Sequence, residues 1–137
     1  MQSIKGSCLC GAVRYSGNAE PVFTGVCHCQ DCQKFSGSAF AVVVAVPESA
    51  ISVTGNLTKF TKNGDSGKPI ERRFCPKCGS AIADVASAMP GVLMIAAGTL
   101  DDASWVKPGA QLYCDREQPW VHLGGEMARF PKMPPPR

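Results

Sequence analysis

The amino-acid sequence predicts a mainly β domain. Apolar runs of strand length recur along most of the chain, they end at Gly, Pro or Asn, and helical periodicity is almost absent. Hydrophobic residues make up 45% of the sequence and charged residues 18%, which favours a folded chain over a disordered one. Because 137 residues can bury one modest core, we expect a single domain over residues 1–137.

Turn-forming residues separate the predicted strands. The strands are predicted at residues 7–17, 21–29, 39–47, 51–55, 57–62, 70–75, 80–86, 91–100 and 111–115. The run at 39–47 is rich in valine and ends at Pro47, which is typical of a fully buried strand. Gly55-Asn56 stands between two strands, so it predicts a β-hairpin over 51–62.

Three further segments are predicted to lie outside the strands. QDCQKFSGS at 30–38 is polar and ends in small residues, which predicts one short helical turn or a compact loop. CPKCG at 75–79 predicts a tight turn. RFPKMPPPR at 129–137 is predicted to be an extended proline-rich tail, because its prolines forbid a helix.

The charge pattern gives little indication of a macromolecular partner. The net charge is +3 and the basic residues are scattered, so we expect no nucleic-acid binding. The tightest basic cluster, Arg72-Arg73, follows an acid, Glu71, and is typical of a solvated strand end. No apolar run approaches the roughly 20 residues of a membrane span or forms a signal peptide, so we expect no membrane association and a reducing, cytoplasmic location.

Eight cysteines are the unusual feature of the composition. In a reducing compartment, clustered Cys-x-Cys and Cys-x-x-Cys pairs predict zinc ligands rather than disulfides. The Cys-x-x-Cys-Gly turn at Cys75 and Cys78 is typical of a zinc knuckle, which leaves two positions for another pair. Cys8 and Cys10 can supply that pair. We therefore predict a closed, structural four-thiolate zinc site that links distant parts of the chain.

The remaining clustered thiols, Cys27, Cys29 and Cys32, predict a second zinc ion per chain and are one ligand short of a tetrahedron. Three thiolates more than neutralise a dication, so such a site suits a soft ligand such as a substrate thiolate. A zinc deaminase needs a Glu beside the first ligand and a Pro before its Cys-x-x-Cys pair. The sequence has His28 and Phe74 at those places, which excludes this class.

The fourth position of this site stays open at the level of the sequence. His28 is a natural zinc ligand, but along an extended segment it faces away when its two cysteine neighbours face the metal. Asp31 is a weaker candidate. Cys114 could close the site as a fourth thiolate, although it is also typical of a small buried hydrophobe. The remaining alternative is an open position for water or substrate, which distinguishes catalytic from structural zinc.

These motifs resemble those of the glutathione-dependent formaldehyde-activating enzyme family, which includes centromere protein V. The order Cys-x-Cys-Gly, Cys-His-Cys-x-x-Cys and Phe-Cys-x-x-Cys-Gly carries the resemblance over residues 7–79. Softer similarity continues in GTLDD at 98–102, in PW at 119–120 and in RFPKMPP at 129–135.

The resemblance implies an Mss4-like β-sheet domain organised around two zinc sites, of which the three-cysteine site is catalytic. It implies a carbon–sulfur lyase that adds a small-molecule thiol, glutathione, to formaldehyde and forms S-hydroxymethylglutathione. Gln30, Lys34 and Ser36 follow the catalytic ligands and are candidate substrate contacts. The alternatives are a non-catalytic, zinc-stabilised binding module and a redox or metal-buffering protein.

The aromatic residues have simpler interpretations. Trp105 and Trp120 are predicted to pack in the core or at its rim, because bulky aromatics contribute mainly through burial. Phe35 lies next to the three-cysteine motif in sequence and is a candidate wall of a substrate pocket.

Overall fold

A computed structural model describes residues 1–135 and shows a mainly β architecture, as predicted. The strands are β1 Gln2–Ser7, β2 Arg14–Ala19, β3 Phe23–Cys27, β4 Ala41–Pro47, β5 Ile51–Thr54, β6 Thr58–Asn63, β7 Pro69–Phe74, β8 Ala81–Ala86, β9 Val92–Ala96, β10 Ala110–Leu112 and β11 Ala128–Arg129. One α-helix, α1, spans Gln30–Ser36, and three short 3-10 turns complete the secondary structure of the described residues. The described chain holds no helix that is long and apolar enough to cross a bilayer.

The strands form two sheets. The small sheet has the order β1-β2-β5 and is antiparallel throughout. The large sheet has eight strands in the order β11-β10-β3-β4-β9-β8-β7-β6. Its neighbours are antiparallel except where β10 runs parallel to β3 and to β11.

One face of the large sheet meets the small sheet and closes the core. The register places Val44 of β4 and Ala83 of β8 opposite Ile95 of β9, so these side chains share a face. They are buried with Ile4 of β1 and Tyr15 of β2 in one hydrophobic cluster. The central residues of β4 are buried, as the valine-rich run predicts.

The opposite face of the large sheet lines a cavity. Arg72 of β7 lies opposite Asp84 of β8, which in turn lies opposite Met94 of β9. The same row continues across β4 to Phe23 of β3. Because side chains alternate between the faces of a strand, Cys27 projects on the same face as Phe23. This alternation brings the three-cysteine motif to the cavity.

Several strand predictions are wrong in their boundaries or pairing. The run predicted as a strand at 91–100 leaves the strand after Ala96, and the run predicted at 111–115 leaves it after Leu112. The run predicted as one strand at 7–17 is split, since β1 ends at Ser7 and the chain loops before β2 begins at Arg14. The predicted hairpin at 51–62 does not form, because β5 pairs with β2 in the small sheet whereas β6 pairs with β7 in the large sheet. Gly55-Asn56 is therefore the point at which the chain passes from one sheet to the other.

The C-terminal tail is tied to the large sheet. The Phe130 amide donates to the Gln111 carbonyl at 2.9 Å, and the Cys114 amide donates to the Phe130 carbonyl at 3.0 Å. Residues 131–133 form bends, and an extended tail over 129–137 stays a prediction. The last two residues of the predicted tail, 136 and 137, lie outside the described residues. That the chain forms one domain stays a prediction.

We predict that Gly55→Ala destabilises the protein by more than about 1 kcal/mol. Gly55 has φ +92°, and a Cβ there would lie 2.0 Å from the Ala12 carbonyl oxygen. The free energy of unfolding, measured by urea denaturation, tests this expectation. Gly109→Ala is the control, because a Cβ at Gly109 meets nothing within 4 Å. Equal stability of the two variants would contradict the assigned strain.

Candidate metal centres

The structure brings Cys8, Cys10, Cys75 and Cys78 together. All four sulfurs lie within 4.8 Å of one another, with Cys8 Sγ 3.6 Å from Cys10 Sγ and Cys10 Sγ 3.8 Å from Cys75 Sγ. Sulfurs that surround a tetrahedral ion at about 2.3 Å are roughly 3.8 Å apart, whereas a disulfide requires about 2.05 Å. The four thiols thus fit a closed tetrahedral metal site and are not disulfide-bonded.

Backbone geometry fixes this four-cysteine cluster. The Gly79 amide donates to the Cys75 carbonyl at 2.9 Å, and Gly79 has φ +78°, which closes the Cys-x-x-Cys turn. The Val13 amide points at Cys8 Sγ at 3.3 Å, and the Lys77 amide points at Cys75 Sγ at 3.4 Å. Such N–H groups favour the thiolate form that a metal requires.

Ser80 is a residue of this cluster that the sequence analysis missed. Its hydroxyl oxygen accepts a hydrogen bond from the Leu9 amide at 3.0 Å and lies 3.2 Å from Cys78 Sγ. The Ser80 hydroxyl lowers the pKa of Cys78 to about 5. One side chain therefore joins both halves of the cluster.

Cys27, Cys29 and Cys32 form a second cluster, with all sulfurs within 4.8 Å of one another. Cys27 is the last residue of β3, Cys29 is the N-cap of α1, and Cys32 lies in the first turn of the helix. The Cys32 amide donates to Cys29 Sγ at 3.2 Å, so a sulfur serves as the helix cap. The short helical turn predicted after the motif is confirmed as α1.

Mutual proximity perturbs the ionisation of these three thiols. Hydrogen bonds from Cys27 and Cys32 lower the pKa of Cys29, while the contact with Cys29 raises the pKa of Cys27 to about 12. The contacts with Cys27 and Cys29 raise the pKa of Cys32 strongly. On their own, the three thiols therefore favour a single thiolate. A divalent cation supplies the charge that lets all three ionise, so the donor set fits a metal ion.

A cavity of about 430 Å³ adjoins this three-cysteine cluster. Its lining includes all three cysteines and the row of side chains on the cavity face of the large sheet. Apolar groups from Phe23, Val43, Met94 and Leu112 form much of its wall. The volume lies in the range of small-molecule sites.

Arg72 and Asp84 place an ion pair in the cavity wall. Arg72 Nη1 lies 3.4 Å from Asp84 Oδ2, and both residues are less than a tenth exposed. The guanidinium carbon is 5.5 Å from the centroid of the Phe35 ring, which supports it. Burial raises the pKa of Asp84 to about 6. The expectation that Glu71-Arg72-Arg73 is a solvated strand end is wrong for Arg72, because the sheet register turns that residue to the cavity.

Tyr113 is another cavity residue that the sequence gives no signal for. Its backbone is in the left-handed region, with φ 55° and ψ 44°, which is uncommon for a bulky residue. Burial, together with the side-chain contact with Asp65, raises the pKa of its phenol. The turn it adopts directs the chain from β10 into the 3-10 segment at Cys114–Arg116.

The residues predicted near the motif have different positions. Gln30 and Asp31 line the cavity, and Asp31 Oδ1 accepts a 2.8 Å bond from Lys62. Lys34 and Ser36 are exposed and do not belong to the described lining.

The aromatic residues divide between the interior and the surface. The Phe35 ring contacts Phe74 and Arg72, so it supports the wall from behind rather than forming it. Trp105 packs against the core, whereas Trp120 is 68% exposed.

None of the three alternative fourth ligands, His28, Asp31 and Cys114, joins the three-cysteine cluster within 4.8 Å. His28 is fully buried, and its Nε2 lies 2.9 Å from Gln111 Oε1. With Cys114 and Glu117 it forms a separate group of potential ligand atoms. Among residues 1–135, no fourth Cys, His, Asp or Glu joins the three sulfurs within 4.8 Å.

Comparisons with known proteins converge on one family. A family model described as glutathione-dependent formaldehyde-activating enzyme matches residues 3–116, which include both cysteine clusters. Two curated fungal proteins, provisionally named as such enzymes, are similar over 72 residues, which is 53% of the chain. The Emericella nidulans protein is 38% identical and the Penicillium rubens protein 36% identical. The matched segment covers 36% and 37% of their lengths, so the chain spans little more than a third of these relatives.

A solved structure supports the fold. The crystal structure of a Rhodobacter sphaeroides protein is 22% identical and superposes with a TM-score of 0.59. The superposition covers 76% of the chain and 91% of that protein. At this identity the likeness concerns the fold alone.

We predict about two divalent metal ions per chain in freshly purified protein, because both thiol clusters fit such an ion. Cys8→Ser should lose one ion and the cooperative thermal transition, since Cys8 belongs to both the metal cluster and the core. Cys114→Ser is the matched control and should keep both ions. Elemental analysis and thermal denaturation measure these outcomes. One ion per chain, with Cys29 freely reactive toward a thiol reagent, would contradict the second site.

Proposed function

The chain belongs to the glutathione-dependent formaldehyde-activating enzyme family, and from that premise we propose that it is a zinc-dependent enzyme of the carbon–sulfur lyase type. In this proposal it joins the thiol of glutathione to formaldehyde and forms S-hydroxymethylglutathione. Cys8, Cys10, Cys75 and Cys78 would hold a structural zinc. The three-cysteine cluster would hold the catalytic one.

One observation carries the proposal: the three-cysteine cluster lacks a fourth protein ligand among the described residues and lies in the wall of a cavity. An open coordination position distinguishes catalytic from structural zinc. Zinc, when bound there, would favour the thiolate form of a substrate thiol at neutral pH. The four-cysteine cluster has no such vacancy.

Arg72 supplies the positive charge that this chemistry needs. Three ligand thiolates and a substrate thiolate together outweigh a dication by two negative charges. Arg72 is 6% exposed, and the negative charges of Asp84 and Cys32 raise the pKa of its guanidinium. It therefore stays charged beside the sulfurs and offsets part of the excess.

The proposed reaction balances without an added oxidant or reductant. The thiol loses its proton on binding, and its sulfur forms a bond to the formaldehyde carbon. The π-electron pair of the carbonyl moves to oxygen, which then takes up a proton to become a hydroxyl group. In this proposal the cavity holds the two reactants together, which would raise the rate of the addition.

Cationic side chains at the cavity suit an anionic thiol. Lys62, Arg116 and Lys132 line it. Lys62 is paired with Asp31, and Lys132 with Asp115. Arg116 makes no ion pair within the described chain. In this proposal Arg116 contacts a carboxylate of glutathione.

The proposal also includes the reducing compartment predicted from the sequence. All eight cysteines are free, and seven of them belong to the two metal clusters. Oxidation would compete with metal binding for these thiols. A cytoplasmic location therefore suits the proposed chemistry.

We predict that Cys29→Ser remains folded but loses the catalysed addition by at least about 100-fold, because it removes a ligand of the second site. Exchange between formaldehyde hydrate and the adduct, followed by NMR, measures the rate above the spontaneous reaction. Cys114→Ser should retain the wild-type rate. If Cys29→Ser unfolds as Cys8→Ser does, the second cluster is structural and the binding-module alternative gains support.

A further inference from the structure

Asp84 is a buried acid that the fold leaves short of hydrogen bonds. It is 8% exposed and lines the cavity. Its Oδ2 has one long contact of 3.4 Å, to Arg72 Nη1, and its Oδ1 has no hydrogen-bond partner among the described residues. A carboxylate can accept about four hydrogen bonds, and leaving a buried acceptor unsatisfied costs free energy. A ligand that donates a hydrogen bond would recover that cost.

The position of Asp84 relates it to the three-cysteine cluster. It lies between Arg72 and Met94 in a row across the large sheet, on the face that carries Cys27. Asp84 and the three cysteines line the same cavity. Arg72 interacts with both the carboxylate and the sulfurs.

The other acids of the cavity are paired or exposed to solvent. Asp31 accepts the 2.8 Å bond from Lys62, and Asp65 is exposed to solvent. Most of the neighbouring wall is apolar and offers Asp84 no donor. Of the three acids that line the cavity, Asp84 is the one that is buried and has an unpartnered oxygen shielded from bulk water.

We propose that Asp84 determines specificity by accepting a hydrogen bond from the hydroxyl group of the thiol–aldehyde adduct. This inference rests on the proposed function and identifies the ligand class as hemithioacetals, the S-(hydroxyalkyl) adducts of thiols. An S-alkyl thioether of the same size buries the same apolar surface but leaves the Asp84 carboxylate unpaired. Sites that hydrogen-bond a hydroxyl discriminate strongly against analogues that lack it.

The test compares two ligands that differ only in the hydroxyl group. S-hydroxymethylglutathione, held as the adduct by excess formaldehyde, and S-ethylglutathione at the same formaldehyde concentration are titrated into the zinc-loaded protein by calorimetry. Wild type should bind the hydroxymethyl adduct roughly 10-fold to 100-fold more tightly, the factor that an unpaired buried acceptor implies.

Asp84→Asn is the decisive variant. The Arg72 guanidinium should hold the amide oxygen on its side, so the NH₂ group faces the ligand and cannot accept its hydrogen. We expect the ratio of the two dissociation constants to fall to about 1, with binding of S-ethylglutathione unchanged. Glu71→Gln is the matched control. Glu71 lies on β7, the strand next to that of Asp84, pairs with Arg73 and does not belong to the cavity lining. It should keep the wild-type ratio.

Each contrary outcome has its own meaning. A wild-type ratio near 1, or an Asp84→Asn ratio equal to that of wild type, overturns the role of Asp84 and leaves the proposed function intact. Failure of zinc-loaded wild type to bind glutathione or either derivative overturns the proposed function and this inference with it. Should Asp84→Asn fail to fold, the wild-type ratio alone decides.

Discussion

The meeting of four sulfurs, from Cys8, Cys10, Cys75 and Cys78, is the constraint on which the rest of the fold depends. It joins the loop after β1 of the small sheet to the turn after β7 of the large sheet. Cys8 and Cys75 are also buried in the hydrophobic core, so the cluster and the core hold the same two sheets together. Four thiols this close need a cation to ionise together, and metal binding there would contribute directly to folding.

Because the small sheet covers one face of the large sheet, the other face is available for chemistry. The division follows from strand geometry alone: Val44 faces the core while its neighbour Val43 lines the cavity. The same alternation sends Cys27 to the cavity. β3 and α1 hold the three sulfurs, and the paired strands β7 and β8 hold the ion pair, so their relative positions are fixed, as the proposed chemistry would require.

The sequence predicts those parts of the site whose geometry is local. Each cysteine motif has a short spacing, so one helical turn or one knuckle brings its own sulfurs together. The long-range pairing of Cys8 and Cys10 with Cys75 and Cys78 could be predicted because a Cys-x-x-Cys knuckle leaves two of the four zinc positions for another pair. Arg72, Asp84 and Tyr113 reach the cavity only through the register of distant strands, which no local pattern reveals. The hairpin prediction at Gly55-Asn56 was wrong because this dipeptide favours a tight turn both within a hairpin and where the chain passes from one sheet to the other.

The Arg72–Asp84 pair has no evident value for stability. A buried ion pair usually costs more in desolvation than its attraction returns, and apolar side chains of similar volume are often as stable. Here the pair is also imperfect, with a 3.4 Å contact and an unpartnered carboxylate oxygen. Arg72 has a second role beside the sulfurs, since it offsets their negative charge. The unpartnered carboxylate oxygen of Asp84 is then accounted for if a ligand, and not the protein, donates a hydrogen bond to it.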